Sequence, residues 1–226
     1  MKCLWCEDEI SMDITWVNVF FPEPPKKLCP SCEPDLEPLK DSLCHRCSRK
    51  SDTSVCPDCE RWEHHPMWKG VLSFNRSVFS YNSTLQGMIA KWKYRGDYVL
   101  REAFQEVSRT TFKQTFQQIA KEAILVPIPL SEERLYERGF NQAEAIADLL
   151  GHPFQQKLER IDGGKQSKKS RKDRITSENP FRVEGSINKP VILIDDIYTT
   201  GITVRHAAIR LKEVGCPTVY SFTLAR

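Results

Sequence analysis

The sequence predicts a doubly wound α/β domain with a small metal-stapled segment ahead of it. Three observations carry that expectation. Short apolar runs at residues 124–128, 191–194 and 218–224 alternate with stretches of helical period, the order that builds a parallel sheet with helices on its faces. Eight of the nine cysteines fall within the first 60 residues, in four Cys-x-x-Cys pairs. One apolar run also ends abruptly in two adjacent carboxylates, Asp195 and Asp196, and a threonine-rich turn follows them.

The totals fit. A chain of 226 residues has room for one ordinary domain and an appendage. With 40% hydrophobic and 28% charged residues it has the balance of a globular protein. No apolar run approaches the roughly 18–20 residues of a membrane span, so no membrane insertion is expected. The N-terminus reaches the cysteine pair at Cys3 before any apolar signal core, which reads as cytoplasmic. The net charge of +3 divides unevenly: residues 1–60 carry 7 basic and 12 acidic side chains, residues 61–226 carry 26 and 18. Balances of −5 and +8 suggest two units with different partners, at residues 1–65 and 66–226.

Taken in order, the N-terminal segment shows prolines and cysteine pairs but little periodicity. Residues 16–21 read as a strand and 61–70 as the junction. Residues 71–74 and 78–81 flank Asn75, Arg76 and Ser77 as a hairpin would. Ser83-Thr-Leu-Gln86 has capping-box form, ahead of Leu85, Met88, Ile89 and Trp92 at helical spacing. A longer helix is expected over most of 98–123, then a buried strand at 124–128. Asn141-Gln-Ala-Glu144 opens another helix. Residues 157–180 are polar and basic, a poor candidate for buried structure. The run 191–194 is the continuous apolar strand of a parallel sheet, followed by a helix through Val204, Ala207, Ala208 and Leu211 and a last strand at 218–224.

Two residues between cysteines let both thiolates face one ion. Paired consecutively, Cys3, Cys6, Cys29 and Cys32 form one four-ligand set, and Cys44, Cys47, Cys56 and Cys59 another. Two such sets make a double zinc ribbon, and a closed four-thiolate shell leaves zinc structural, not catalytic. A redox Cys-x-x-Cys normally opens a helix of a βαβ unit, which is missing here. Iron–sulfur ligation is the remaining alternative. His45, His64 and His65 are surplus to eight thiols, and Cys216 reads as a small buried hydrophobe.

The segment Val191-Ile-Leu-Ile-Asp195-Asp196-Ile-Tyr-Thr199-Thr200-Gly201-Ile-Thr203 is the most informative. Backbone N–H groups of such a turn, with the helix N-terminus beyond it, cradle a phosphate dianion. Thr199, Thr200 and Thr203 add hydroxyls, Gly201 lets the backbone approach, and the acid pair can accept from two ribose hydroxyls. Upstream, residues 126–142 place Arg134, Arg138, Gly139 and Asn141 between a strand and a helix start, where guanidinium forks and a helix N-terminus favour phosphate oxygens. Residues 157–174 carry eight basic and three acidic side chains, a loop suited to polyanions or simply solvated.

The acidic strand end and its turn resemble the signature of type I phosphoribosyltransferases. That resemblance implies a site for 5-phosphoribosyl-1-pyrophosphate (PRPP): Asp195 and Asp196 on the ribose, Thr199 to Thr203 on the 5-phosphate, and Mg²⁺ held mainly through ligand oxygens. It makes the Arg134–Asn141 segment the pyrophosphate loop, and the segment with Lys165 and Gln166 a mobile loop closing over the substrate. Joined to the cysteine ribbons, Lys93-Tyr94-x-Gly96-Asp97, Arg138-Gly-Phe-Asn-Gln142 and Asp-Asp-x-Tyr-Thr-Thr-Gly resemble the ComF (ComFC) late-competence family over essentially the full length. Membership would imply a part in handling transforming single-stranded DNA beside a helicase-like partner. Lys168, Lys169, Arg171, Lys172 and Arg174 are then the densest phosphate-binding surface. The alternatives are a metabolic phosphoribosyltransferase acting on a nucleobase and a zinc-ribbon adaptor with a relic site. Against the former, Thr199 stands where purine-salvage members often place a third acid, although Phe79, Tyr81 and Tyr94 offer rings for stacking. Against the latter, both acids and the turn are intact.

Overall fold

A computed structural model of the chain describes residues 1–11, 20–21, 25–94, 96–161 and 179–226. Its central sheet has four parallel strands in the order β1 (Asn75–Phe79), β6 (Val219–Ala225), β5 (Val191–Ile197), β2 (Ile124–Pro127). The register sets Ile194 of β5 beside Phe222 of β6 and Pro127 of β2. Apolar residues succeed one another along β5 because both faces are covered. Ile192 and Ile194 join an apolar cluster with Trp92 of α2 (Ser83–Tyr94), Phe112 and Phe116 of α3 (Gln105–Phe116) and Ile146 of α5 (Gln142–Leu150). Val191 and Leu193 pack in a second cluster with Val204, Ala207 and Leu211 of α6 (Ile202–Glu213). The doubly wound sheet is present as expected. Each fully buried large side chain contributes about 1.5–3 kcal/mol, which makes the two faces the main source of stability.

The cysteine segment is built into these clusters. Cys3, Cys29 and Cys32 pack with the α2 and α3 residues, whereas Cys44, Cys47, Cys56 and Cys59 pack with α6. The expected junction is in part helical: α1 (Pro57–His64) continues into a turn whose Trp68, 1% exposed, meets Trp62 and His206 edge-on.

Four local expectations change. No hairpin turns at Asn75–Ser77; β1 runs straight through them, because their polar groups are satisfied inside the sheet. Asn75 donates to Ser77 Oγ and accepts from Ser221 Oγ, and Ser77 Oγ meets Thr223 Oγ1 at 2.7 Å. The cap of α2 is Asn82, whose Oδ1 accepts from Leu85 N, not Ser83. The 98–123 helix is broken into a 3₁₀ turn (Tyr98–Phe104), α3 and a second 3₁₀ turn (Ile119–Lys121). At the start of the polar 157–180 stretch, β3 (Leu158–Arg160) pairs antiparallel with β4 (Phe181–Val183), which begins just beyond the stretch, and Leu158 is buried; residues 162–178 lie outside the described residues. Of the strand expected at 16–21, residues 16–19 lie outside the described residues. No described helix is long and apolar enough to cross a membrane.

Candidate anion site and metal centres

β5 ends in Asp195 and Asp196 at the carboxyl edge of the sheet, where ligands of open α/β folds bind. The carboxylates fold back on their own chain: Asp195 Oδ1 accepts from Asp196 N at 2.9 Å and Asp196 Oδ1 from Ile197 N at 2.7 Å. Burial, and then the neighbouring charge of Asp196, push the Asp195 carboxyl up to about 8. Asp196 is ion-paired with Lys93 near the end of α2. In the sequence Lys93 stands out only as part of a motif, with no place in the site; spacing alone cannot bring residues 93 and 196 together.

The turn from Tyr198 to Gly201 leads into α6, and Gly201 adopts φ 78°. Among the described residues, the N–H groups of Thr199, Thr200, Gly201 and Thr203 meet no protein acceptor. Four donors left open in one turn at a helix N-terminus make a cradle for an anion. Thr199 is exposed, and Thr200 Oγ1 accepts from Ile202 N at 3.3 Å. Gly201 has a structural reason of its own: a Cβ there would lie 2.1 Å from the Tyr198 hydroxyl and 2.4 Å from Arg205 Nη1. The two are bonded at 2.7 Å beneath the turn.

The arginine segment forms α4 (Glu132–Arg138), capped by Ser131 and closed by Gly139 at φ 75°. Arg134 is exposed. Arg138 donates to Gln142 Oε1 at 2.8 Å and lies over the Tyr94 ring. Lys93 and Tyr94, adjacent in sequence, thus touch Asp196 and Arg138 respectively, so the end of α2 joins the acid pair to the arginine loop. Phe140 fixes that loop by packing on Trp92 and Tyr98. Both amide N–H groups of Asn141 are taken, by Ile128 O and Glu144 Oε1, and its Oδ1 accepts from Ala143 N with one acceptor site left over. It is a helix cap and a tie to the end of β2. Of the three rings suited to stacking, Phe79 is buried in the core, while Tyr81 and Tyr94 are exposed. Lys165, Gln166, Lys168, Lys169, Arg171, Lys172 and Arg174 lie outside the described residues.

The eight cysteines form the two expected groups, with every ligand atom of a group within 4.8 Å of the others. Thiolates about 2.3 Å from one ion sit about 3.8 Å apart along a tetrahedral edge. Observed separations of 3.6 Å for Cys6–Cys29 and 3.7 Å for Cys47–Cys56 fit that geometry. Cys3–Cys6 and Cys44–Cys47 repeat one design: a left-handed residue, Glu7 or Ser48, follows the pair, and Lys2–Glu9 or Leu43–Lys50 bridges its flanks. Cys59, opposed by burial and aided by Arg226, draws the Cys47 thiol down to about 5. Either group could hold a metal ion.

No family model matches the chain. Among curated proteins it is 40% identical over 228 residues to competence protein ComFC of Bacillus subtilis, covering 99% of this chain and 94% of that one. The chain belongs to the ComFC family. Competence protein ComFC of Streptococcus pneumoniae is 31% identical over the whole of both chains. A DNA utilization protein, YhgH of Escherichia coli O157:H7, is 26% identical over 88% of this chain and 96% of its own. Among solved structures, a hypoxanthine phosphoribosyltransferase from Staphylococcus aureus aligns over 54% of this chain and 62% of its own, with a TM-score of 0.35 and 15% identity. The two relatives named ComFC align over 99% and 100% of this chain, which spans both cysteine groups and the sheet.

Proposed function

We propose that this ComFC-family chain binds PRPP and serves in the handling of incoming single-stranded DNA in the cytoplasm. The observation that carries the ligand is the turn of four open N–H donors directly after an acid pair. In this reading Thr199, Thr200, Gly201 and Thr203 take the 5-phosphate, and Asp195 and Asp196 accept from the two ribose hydroxyls. Arg134, Arg138 and the Gly139 turn take the pyrophosphate, with Lys165 and Gln166 closing over it, and Mg²⁺ would be held mainly through the ligand's own oxygens. Asn141 contributes by holding the loop at the end of β2. Zinc is the ion suited to each four-thiolate group and acts there as a structural staple.

DNA handling rests on the relatives named for competence and DNA utilization, with a helicase-like protein as the expected partner. Thr199, standing where a base-reading acid would be, favours this role over a salvage enzyme. Calorimetry with PRPP and with ribose 5-phosphate, each with and without Mg²⁺, tests the ligand. Asp195→Ala with Asp196→Ala removes charge-assisted bonds worth roughly 1.5–3 kcal/mol each, so affinity should fall at least tenfold while the circular dichroism spectrum holds. An unchanged affinity would put ribose recognition elsewhere.

A further inference from the structure

The open face of the phosphate cradle is only half of its construction. Each peptide group is planar and trans, so the direction of one residue's C=O fixes that of the next residue's N–H. Pinning the carbonyls of Tyr198, Thr199 and Thr200 therefore aims the N–H groups of Thr199, Thr200 and Gly201. All three carbonyls are pinned. Arg226 Nη1 donates to Tyr198 O at 2.8 Å and to Thr199 O at 2.5 Å, and Trp62 Nε1 donates to Thr200 O at 3.2 Å.

Both donors are tied to the second cysteine group. The other nitrogen of the Arg226 fork, Nη2, donates to Cys47 Sγ at 3.3 Å, and the guanidinium plane lies over the Tyr198 ring at 4.8 Å. Trp62 sits on α1, which follows Cys56 directly and contains Cys59. Arg205 completes the brace, stacking on Trp62 at 4.5 Å while bonding the Tyr198 hydroxyl. The first cysteine group makes no such connection among the described residues. Its Trp5 packs on Gly87, and Lys91 reaches Leu4 O and Glu7, contacts made to α2 and not to residues 198–201.

We infer that the Cys44, Cys47, Cys56 and Cys59 group, acting through Arg226 and Trp62, is a positioning element for the anion cradle, and that the first group is not. A thiolate cluster that is metal-filled holds Cys47 and α1 still; those in turn hold the three carbonyls. Phosphate affinity should then depend on whether the second cysteine group is filled, through Arg226 and Trp62 and not through its thiolates. Arg226 and Trp62 are positioning residues, since neither need touch the ligand.

The ligand part of this inference rests on the proposed PRPP reading; the ordering of the turn does not, and the test separates them. Full-length ¹⁵N-labelled wild type, Arg226→Gln, Arg226→Lys and Cys3→Ser would be compared by amide relaxation, by metal content and by calorimetry with ribose 5-phosphate. In Arg226→Gln the Thr199–Gly201 amides should fall from order parameters of about 0.85 to below about 0.6, with metal content unchanged and at least a tenfold weaker ribose 5-phosphate affinity. Arg226→Lys keeps the charge but not the fork and should lie between. Cys3→Ser should lose one equivalent of metal and leave the turn amides as in wild type. Wild-type order at the turn in Arg226→Gln would overturn the inference, as would equal loosening in Cys3→Ser. A wild type that binds no ribose 5-phosphate, with the turn still loosened by Arg226→Gln, would sink the PRPP reading alone.

Discussion

At the residue scale Asp195 stands out among the described carboxylates. Burial and Asp196 lift its carboxyl to about 8, so the folded protein holds a proton there at pH values where the unfolded chain has lost it. The sign follows from linkage: this stability is fully present below the ordinary carboxylate range and is lost as pH rises through about 8. Asp195→Asn keeps the shape without the charge. Its gain in urea midpoint over wild type should therefore grow from pH 5 to pH 8 and level off beyond, reaching about 1 kcal/mol or more. A gain of the same size at every pH would show that Asp195 is not protonated in the fold. Ribose binding wants the ionised form, so affinity for ribose 5-phosphate with Mg²⁺ should rise across the same window by up to about tenfold per pH unit. Asp195→Asn should abolish that slope. The acid pair was legible in the sequence because it interrupts an apolar run. The place of Lys93 and Arg226 was not, since each meets its partner across a long stretch of chain; Lys93 belongs to a motif that does not name its partner, and Arg226 carries no local signature.

At the scale of elements, what could be read was whatever a short window determines. The run 191–194, the α6 periodicity and the Asn141 cap all follow from near neighbours, and the structure contains each of them. The hairpin reading failed for the opposite reason. Asn, Arg and Ser in a row signal a turn unless distant residues satisfy them, and here Ser221, Thr223 and Ser48 do so. Asn141 shows how one side chain can serve an element and a site together. As N-cap of α5 it satisfies Ala143 N, and its amide holds Ile128 O at the end of β2 at 3.1 Å. Asn141→Ala should cost about 1–2 kcal/mol, read as a lower thermal midpoint. Asn141→Asp should recover the cap but not the tie to Ile128, because a carboxylate cannot donate to that carbonyl. Equal stability of wild type and Asn141→Ala would mean that the cap does not hold the arginine loop.

At the scale of the whole molecule, the two cysteine groups are not an appendage hung on the sheet. One packs with α2 and α3 and the other with α6, so both faces of the domain share their cores with a metal-binding segment. Two groups of four thiolates imply about two zinc ions per chain. Metal analysis of protein produced without added zinc would check this, and a single ion or an iron–sulfur absorbance would contradict it. Chelation should lower the thermal midpoint of the whole domain, not only melt the N-terminus, because the cysteines contribute to the same clusters as the sheet.

The charge division of the chain, −5 over residues 1–60 and +8 over 61–226, bears on where a nucleic acid would lie. An acidic segment is poorly suited to broad contact with phosphates, and the basic balance is concentrated at residues 157–174. If single-stranded DNA binds there, affinity should be nearly independent of base sequence and fall steeply with salt, because each neutralised phosphate releases condensed counterion. Replacing Lys168, Lys169, Arg171 and Lys172 by Gln should flatten the log–log salt slope by about 0.7 for each phosphate that the segment then leaves without a cation. The exposed rings of Tyr81 and Tyr94 could add stacking that tolerates any base, and would leave a residual affinity with little salt dependence. Since Lys165 and Gln166 of the same segment are proposed to close over pyrophosphate, PRPP should compete with DNA for it. Fluorescence anisotropy with a labelled oligonucleotide, titrated over salt and over PRPP, reads both effects. A salt slope that survives the four substitutions would move the DNA off this segment and toward the surface around Arg134 and Arg138, where PRPP would still compete. Survival of the slope together with indifference to PRPP would leave the cysteine ribbons as the place where DNA meets the protein.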